Sequence, residues 1–191
     1  MTDLSGRRGL ILGVSGPHSI GFHIARTVTA AGAAVAITHR PVHSARAAEV
    51  RRLTSSPAEW VARVRLDPEG RWYERIRMTD DFEVWLISWL PGQSTGFHDH
   101  GVSAGAFGVV WGALDESVAT RRGAKPRAAT RVTAGDVRSF GPHYVHDVQN
   151  SSTGSVAVSV HAYSPPLSSM TRYSVTSGGL AVAGTEGAGD W

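Results

Sequence analysis

From Arg71 onward the chain is written in short segments, and that rhythm constrains its fold more than any other feature. RWYERIRM, FEVWLISWL, FGVVWGAL, ATRV, VRSF, YVHDVQN and SVAVSVHAYS are rich in Val and aromatic residues and show stretches of alternation, as half-buried strands do. Between them stand PGQSTG, RRGAKP, TAGD and NSSTGS, whose glycines, prolines and serines favour turns. Short strands at regular spacing predict a mainly β sandwich or barrel, here from about Arg71 to Tyr173. The tail TSGGLAVAGTEGAGDW is rich in small residues and is expected to wrap the surface or stray from it.

Two short helices should precede the strands. Ser44 is placed to cap ARAAEVRRL, and SPAEWVARVRL carries a capping-box pattern with Ser56 as cap, Pro57 at the first helical position and Glu59 at the third. Residues 1–41 follow another pattern. GLILGV (Gly9 to Val14) reads as a strand, SIGFHIARTVTAAG (Ser19 to Gly32) has helical spacing at Ile20, Ile24 and Val28, and AAVAIT (Ala33 to Thr38) reads as a second strand. This βαβ opening is of the dinucleotide-binding kind, without the strict G-x-G-x-x-G, and a doubly wound sheet needs more strands than these. Residues 1–41 are therefore expected to be a partial, non-functional fragment, and residues 44–191 the working domain.

A chain of 191 residues buries one good core. The absence of cysteine excludes disulfides, thiolate metal ligands and cysteine nucleophiles. The net charge of +3 comes from scattered arginines, with Lys125 the only lysine. No dense basic cluster interleaved with aromatics suggests a nucleic-acid partner. No leader pattern and no apolar run of about 18 residues stands in the sequence, so a cytoplasmic protein without a membrane partner is expected, as a monomer or weak homodimer.

The stretch GFHDHG, residues 96–101, raises the question of a metal. On a strand His98 and His100 point to one side and Asp99 to the other. Alone, such a pair is as readily two ordinary hydrogen-bonded histidines. Its frame adds weight: Gly92, five residues, His98-x-His100, four residues, Gly105, six residues, Gly112, and later Gly135, ten residues, His146, three residues, Asn150. His143 competes with His146, which the spacing to Asn150 favours. Ser159, His161 and Tyr163 likewise share one side of a strand, either as a proton relay or as satisfied polar groups lining the interior.

These frames resemble the two motifs of the cupin superfamily, which implies a small cupin-type β-barrel (jelly roll) with a metal on His98, His100 and His146. Cupins commonly add a glutamate where Ala104 and Gly105 stand here. Three histidines on one side of an ion suit ferrous iron that binds dioxygen and substrate together; zinc with one bound water is the alternative.

From about Ser44 the chain resembles the cysteine dioxygenase family, through RWYERI, HDHGVSAGAFGVVWGAL, GPHYVHDVQN and VSVHAYSPPLSSMTRY. The resemblance implies oxidation of L-cysteine by dioxygen to cysteine sulfinate at Fe(2+). It implies catalytic roles for Tyr163, His161 and Ser159, and substrate binding by Arg75 and Tyr73, with Arg75 holding the carboxylate and Arg77 its rival. Relatives acting on 3-mercaptopropionate carry glutamine in place of that arginine, so Arg75 favours cysteine. Gly105 stands where animal members carry a cysteine cross-linked to the relay tyrosine, so Tyr163 should act unmodified. The alternatives are a dioxygenase for 3-mercaptopropionate or another small thiol, and a non-catalytic metal-binding cupin.

The run from Asp3 to Arg40 resembles the start of bacterial enoyl-acyl-carrier-protein reductases of the short-chain dehydrogenase/reductase family, at Gly13-Val14, Ser19-Ile20 and Gly32-Ala33. That family's Tyr-x-x-x-Lys is missing, because Arg121 stands four residues before Lys125. An NAD-dependent reductase is thus the less favoured reading.

Overall fold

The structure is a computed structural model that describes residues 3–11, 20–37, 42–119 and 125–188. The chain forms two compact units, Met1–Val42 and His43–Trp191. In the first, β1 (Arg8–Ile11), α1 (Ile20–Ala30) and β2 (Ala34–Ile37) follow one another, and the two strands pair in parallel. The expected βαβ unit is therefore present, with two strands in its sheet among the described residues. Ile24, one of the three helical positions, is exposed. Gly13, Val14, Ser19, Thr38 and Arg121 lie outside the described residues.

In the second unit α2 (Val42–Thr54) is followed by two single 3-10 turns, Pro57–Glu59 and Val61–Arg63. The second helix expected from SPAEWVARVRL is thus absent, and so is its capping box. Ser56 makes no capping hydrogen bond, and Glu59 pairs with Arg52 instead. The buried Trp60 breaks the helical path, with φ of −132°, and its indole N–H donates to the Leu53 carbonyl. Tertiary anchoring of one aromatic overrides the local pattern.

Eleven strands follow: β3 (Tyr73–Met78), β4 (Glu83–Trp89), β5 (Phe97–Asp99), β6 (Ala104–Trp111), β7 (Ala113–Ala119), β8 (Thr130–Thr133), β9 (Val137–Phe140), β10 (Val145–Gln149), β11 (Ala157–Ser164), β12 (Ser169–Thr176) and β13 (Gly179–Gly187). They form a six-stranded sheet of order β13-β12-β5-β10-β7-β8 and a five-stranded sheet of order β3-β4-β11-β6-β9. All of these strand pairings are antiparallel. The fold is mainly β and of jelly-roll type, as expected, with its strands divided between these two sheets. FGVVWGAL, which reads as one strand, is divided at Gly112, where the chain passes from one sheet to the other. Gly112 has a φ of +73°, and a Cβ there would lie 2.5 Å from the Val156 carbonyl oxygen. Only glycine meets both conditions.

The tail differs most from expectation. β13 pairs with β12 along its length and extends the six-stranded sheet, because Leu180 joins Phe97, Ala119, Val145 and Tyr173 in a buried cluster.

Alternation along β4 and β11 positions the site. Val84, Leu86, Val158, Val160 and Ala162 pack against Ala47, Val50 and Leu53 of α2. Trp85, Trp89 and Tyr163 point the other way, into an interior shared with Leu114, Val132 and Val148 of the opposite sheet. β11 is thus buried on both faces, with hydrocarbon toward the helix and Ser159, His161 and Tyr163 toward the interior. Among the described residues no helix is long and apolar enough to cross a membrane.

Candidate metal centre

β10 lies beside β5 with His146 directly opposite His98, and His100 follows two residues after His98. All three are buried, and one ligand atom from each lies within 4.8 Å of the others. Asp99 faces away, accepting from the Tyr173 hydroxyl at 2.6 Å and the Gly101 N–H at 3.0 Å. His143, the competitor for the third position, is exposed in the preceding turn with a φ of +57° and takes no part in the cluster.

The outer partners set the tautomers. His98 Nδ1 donates to the Gly96 carbonyl at 2.9 Å, and His146 Nδ1 lies 2.8 Å from a carboxylate oxygen of Glu116. Each proton is thereby assigned to Nδ1, leaving the Nε2 lone pair for the centre. His98 Nε2 and His100 Nε2 are 3.1 Å apart. Two nitrogens each roughly 2.1 Å from one ion, at a right angle, would be separated by about 3.0 Å, so the donor set fits a single cation. Burial holds the pKa of His98 well below the usual imidazole value, with His146 adding to the effect. His100 is depressed the same way, by burial first and then by His98 and His146. Both stay neutral, as metal ligands must.

His100 Nδ1 is buried without a hydrogen-bond partner among the described residues, and packing orients this ring. Phe140 stacks on it with centroids 5.1 Å apart, and Tyr163 lies 4.8 Å away. Phe140 also fills the space beside Gly105, where a Cβ would meet its ring at 2.5 Å and Tyr163 at 3.0 Å. No side chain fits at 105 while Phe140 keeps this place.

Sequence reasoning missed Glu116. The glutamate lacking among the ligands has a counterpart one layer out, a buried carboxylate on β7 that fixes His146. The signal was an acidic residue sharing strand parity with the apolar Leu114 in ALDESVA.

Across the interior, on the five-stranded sheet, Ser159 Oγ lies 2.9 Å from His161 Nε2, and the Tyr163 hydroxyl 3.2 Å from His161 Nδ1. Trp89, also missed, donates its indole N–H to Ser159 Oγ at 2.8 Å. Burial lowers the pKa of His161 to about 3, with His146 and Arg71 contributing. Burial also raises that of Tyr163 above the usual phenol value, with Glu83 contributing. His161 is therefore neutral and Tyr163 protonated near pH 7.

A cavity of about 240 Å³ joins the two sheets, with His98, His146, His161, Tyr163, Tyr73 and Arg71 in its wall. Arg75, expected to bind substrate, is not in that wall. Its side chain is about half exposed and lies 3.4 Å from Glu83, with the guanidinium over the Trp85 ring, 5.4 Å from its centroid. Rival Arg77 pairs with Glu49. Parity put Tyr73 and Arg75 on one face but could not say how far along the strand the cavity reaches. Arg71, of the same parity, does line it. Its guanidinium sits 5.3 Å from the Trp89 ring and has no hydrogen-bonded acceptor among the described residues.

A family described as cysteine dioxygenase type I matches residues 26–176. The match begins within α1, well before Ser44, and ends with β12. Among solved structures, a conserved protein with a double-stranded β-helix domain from Klebsiella pneumoniae is 21% identical, over 65% of this chain and 93% of its own, with a TM-score of 0.48. A cupin superfamily protein from Desulfitobacterium hafniense is 10% identical, over 55% and 85%, with a TM-score of 0.45. An RmlC-like cupin from Desulfovibrio desulfuricans is 17% identical, over 54% and 90%, with a TM-score of 0.46. The reductase likeness of residues 3–40 gains no support from these matches.

Proposed function

The chain belongs to the cysteine dioxygenase type I family, and on that premise we propose that it is a thiol dioxygenase that converts a small mercaptocarboxylate, cysteine first among them, to its sulfinate. The observation that carries the reading is one cavity lined by His98 and His146 of a buried three-histidine cluster and, across from them, by His161 and Tyr163 of a hydrogen-bonded Ser-His-Tyr chain. The overall change is RS⁻ + O₂ → RSO₂⁻, in which sulfur gives up electrons and gains both oxygen atoms.

His98, His100 and His146 would hold a ferrous ion, which would supply the Lewis-acid and redox chemistry that lets a thiolate react with dioxygen. The protein's own residues do the rest. Arg71, with its donors uncommitted, takes the carboxylate through the fork geometry that suits such a group, in place of Arg75. Tyr73 closes the wall beside it. With Ser159 donating to His161 Nε2, His161 carries its proton on Nδ1 and donates to the Tyr163 oxygen. The phenolic O–H is then directed into the cavity, where it orients and protonates oxygen. The hydrocarbon of Ile87, Val148 and Leu167 keeps bulk water from the reacting atoms.

Anaerobic loading with ferrous iron, followed by cysteine or 3-mercaptopropionate and then oxygen, tests this. Oxygen uptake matched by sulfinate is expected. No uptake with either thiol, despite bound iron, would overturn the reading.

A further inference from the structure

The cavity holds two arginines whose situations are opposite. Arg71 waits for an acceptor. Arg172, on β12, is already paired: its Nε and one terminal nitrogen donate to the two carboxylate oxygens of Glu186 at 2.9 and 2.8 Å, and its other terminal nitrogen donates to the Thr95 carbonyl at 3.2 Å. Arg172 stands directly opposite His98 in the sheet, so it is one strand away from a candidate metal ligand and on the same face. Glu186, on β13, lies opposite Met170 and lines the cavity with it. The C-terminal hairpin therefore delivers both a cation and the anion that cancels it to the wall of the site. Glu186 lies beyond residue 176, where the family match ends, so this half of the pair belongs to a segment outside that match.

Resting on the thiol dioxygenase reading, we propose that Glu186 is a specificity-determining residue: by occupying Arg172 it limits the cavity to thiols bearing one carboxylate and turns away those bearing two. A bidentate arginine–carboxylate pair satisfies the donors that a second substrate carboxylate would need. The Glu186 charge also repels that carboxylate directly, and such like-charge contact inside a partly desolvated cavity is an effective means of exclusion. One carboxylate still finds Arg71. Removal of the Glu186 charge frees the Arg172 fork, and the cavity gains a second anion site beside the first.

The probes are 3-mercaptopropionate, with one carboxylate, and mercaptosuccinate, with two, on the full iron-loaded chain. The wild type should favour the first by about tenfold or more in kcat/KM. Glu186→Gln should shift that ratio toward mercaptosuccinate by about tenfold, and Arg172→Gln with Glu186→Gln should restore it, because the gain runs through the freed guanidinium. A ratio unchanged by Glu186→Gln would overturn the proposal and leave the pair a structural clasp. Should that variant not fold, the wild-type ratio decides: equal use of both thiols overturns the proposal, and discrimination supports it. Thermal protection by each thiol is measured in parallel. If no thiol supports oxygen uptake but protection follows the same charge rule, the dioxygenase reading fails while the role of Glu186 stands. If uptake occurs and neither the rate ratio nor the protection follows the rule, the reverse holds.

Discussion

The inner faces of the two sheets carry the same kind of residue in opposite states. On the six-stranded sheet, His98 and His146 each have Nδ1 tied to an outer partner, and one ligand atom from each of them and from His100 lies within 4.8 Å of the others. On the five-stranded sheet, His161 has partners at both nitrogens, Ser159 on one side and Tyr163 on the other. Burial keeps His98, His100 and His161 neutral alike. What separates a ligand from a relay is therefore how many ring nitrogens the protein has already satisfied, and not burial or charge. On the proposed reading the first face holds an ion and the second a proton.

That contrast breaks most sharply at the ligands. His146→Ala should abolish stoichiometric iron binding and lower oxygen uptake by on the order of a thousandfold, as read by metal analysis and an oxygen electrode. Retention of both would mean that the first face holds no ion. On the second face the effect should be smaller and of another kind. Tyr163→Phe keeps the iron but lowers kcat by roughly a hundredfold, the scale of a positioned proton donor, with KM little changed. Loss of iron in that variant would show that the two faces do not divide the work in this way.

Glu116→Gln probes the outer partner of the first face. It should weaken iron binding by roughly tenfold, measured by competition with a chelator, and leave the tyrosine-dependent step alone. The smallest effect is on stability. His161 has a folded-state pKa of about 3 against an ordinary 6.5, so between those values the unfolded chain binds the extra proton. The metal-free protein should therefore lose stability as pH falls from about 6.5 toward about 3, with a slope of at most about 1.4 kcal/mol per pH unit for each such group. His98 and His100, also depressed by burial, act in the same direction. Urea unfolding at about pH 7.5 and about pH 5.5 reads the slope, and a flat profile would mean that these rings are not held neutral.

Strand parity carried much of this site. The i, i+2 relation paired His98 with His100 and aligned Ser159, His161 and Tyr163, and the spacing to Asn150 pointed to His146 over His143. Parity does not say how far along a strand a cavity extends, which is why Arg75 fell outside it and Arg71 within. Nor does it show which residue of a neighbouring strand stands behind a ligand, so Glu116 and Trp89 emerged only once β7 and β4 had been placed. The tail is not legible as a strand because its many Gly and Ala residues give little strand propensity of their own. Pairing with β12 and the burial of Leu180 supply what propensity lacks, and they bring Glu186 to the cavity. At SPAEWVARVRL the local signal was strong, and burial of Trp60 overrode it.

The most direct test of the account follows the oxygen atoms. The iron-loaded protein is given cysteine or 3-mercaptopropionate under ¹⁸O₂ in unlabelled water, and the sulfinate is weighed by mass spectrometry. Two faces that bring thiolate and dioxygen together while excluding water should place both labelled atoms in one product molecule. Sulfinate carrying one label or none would contradict that.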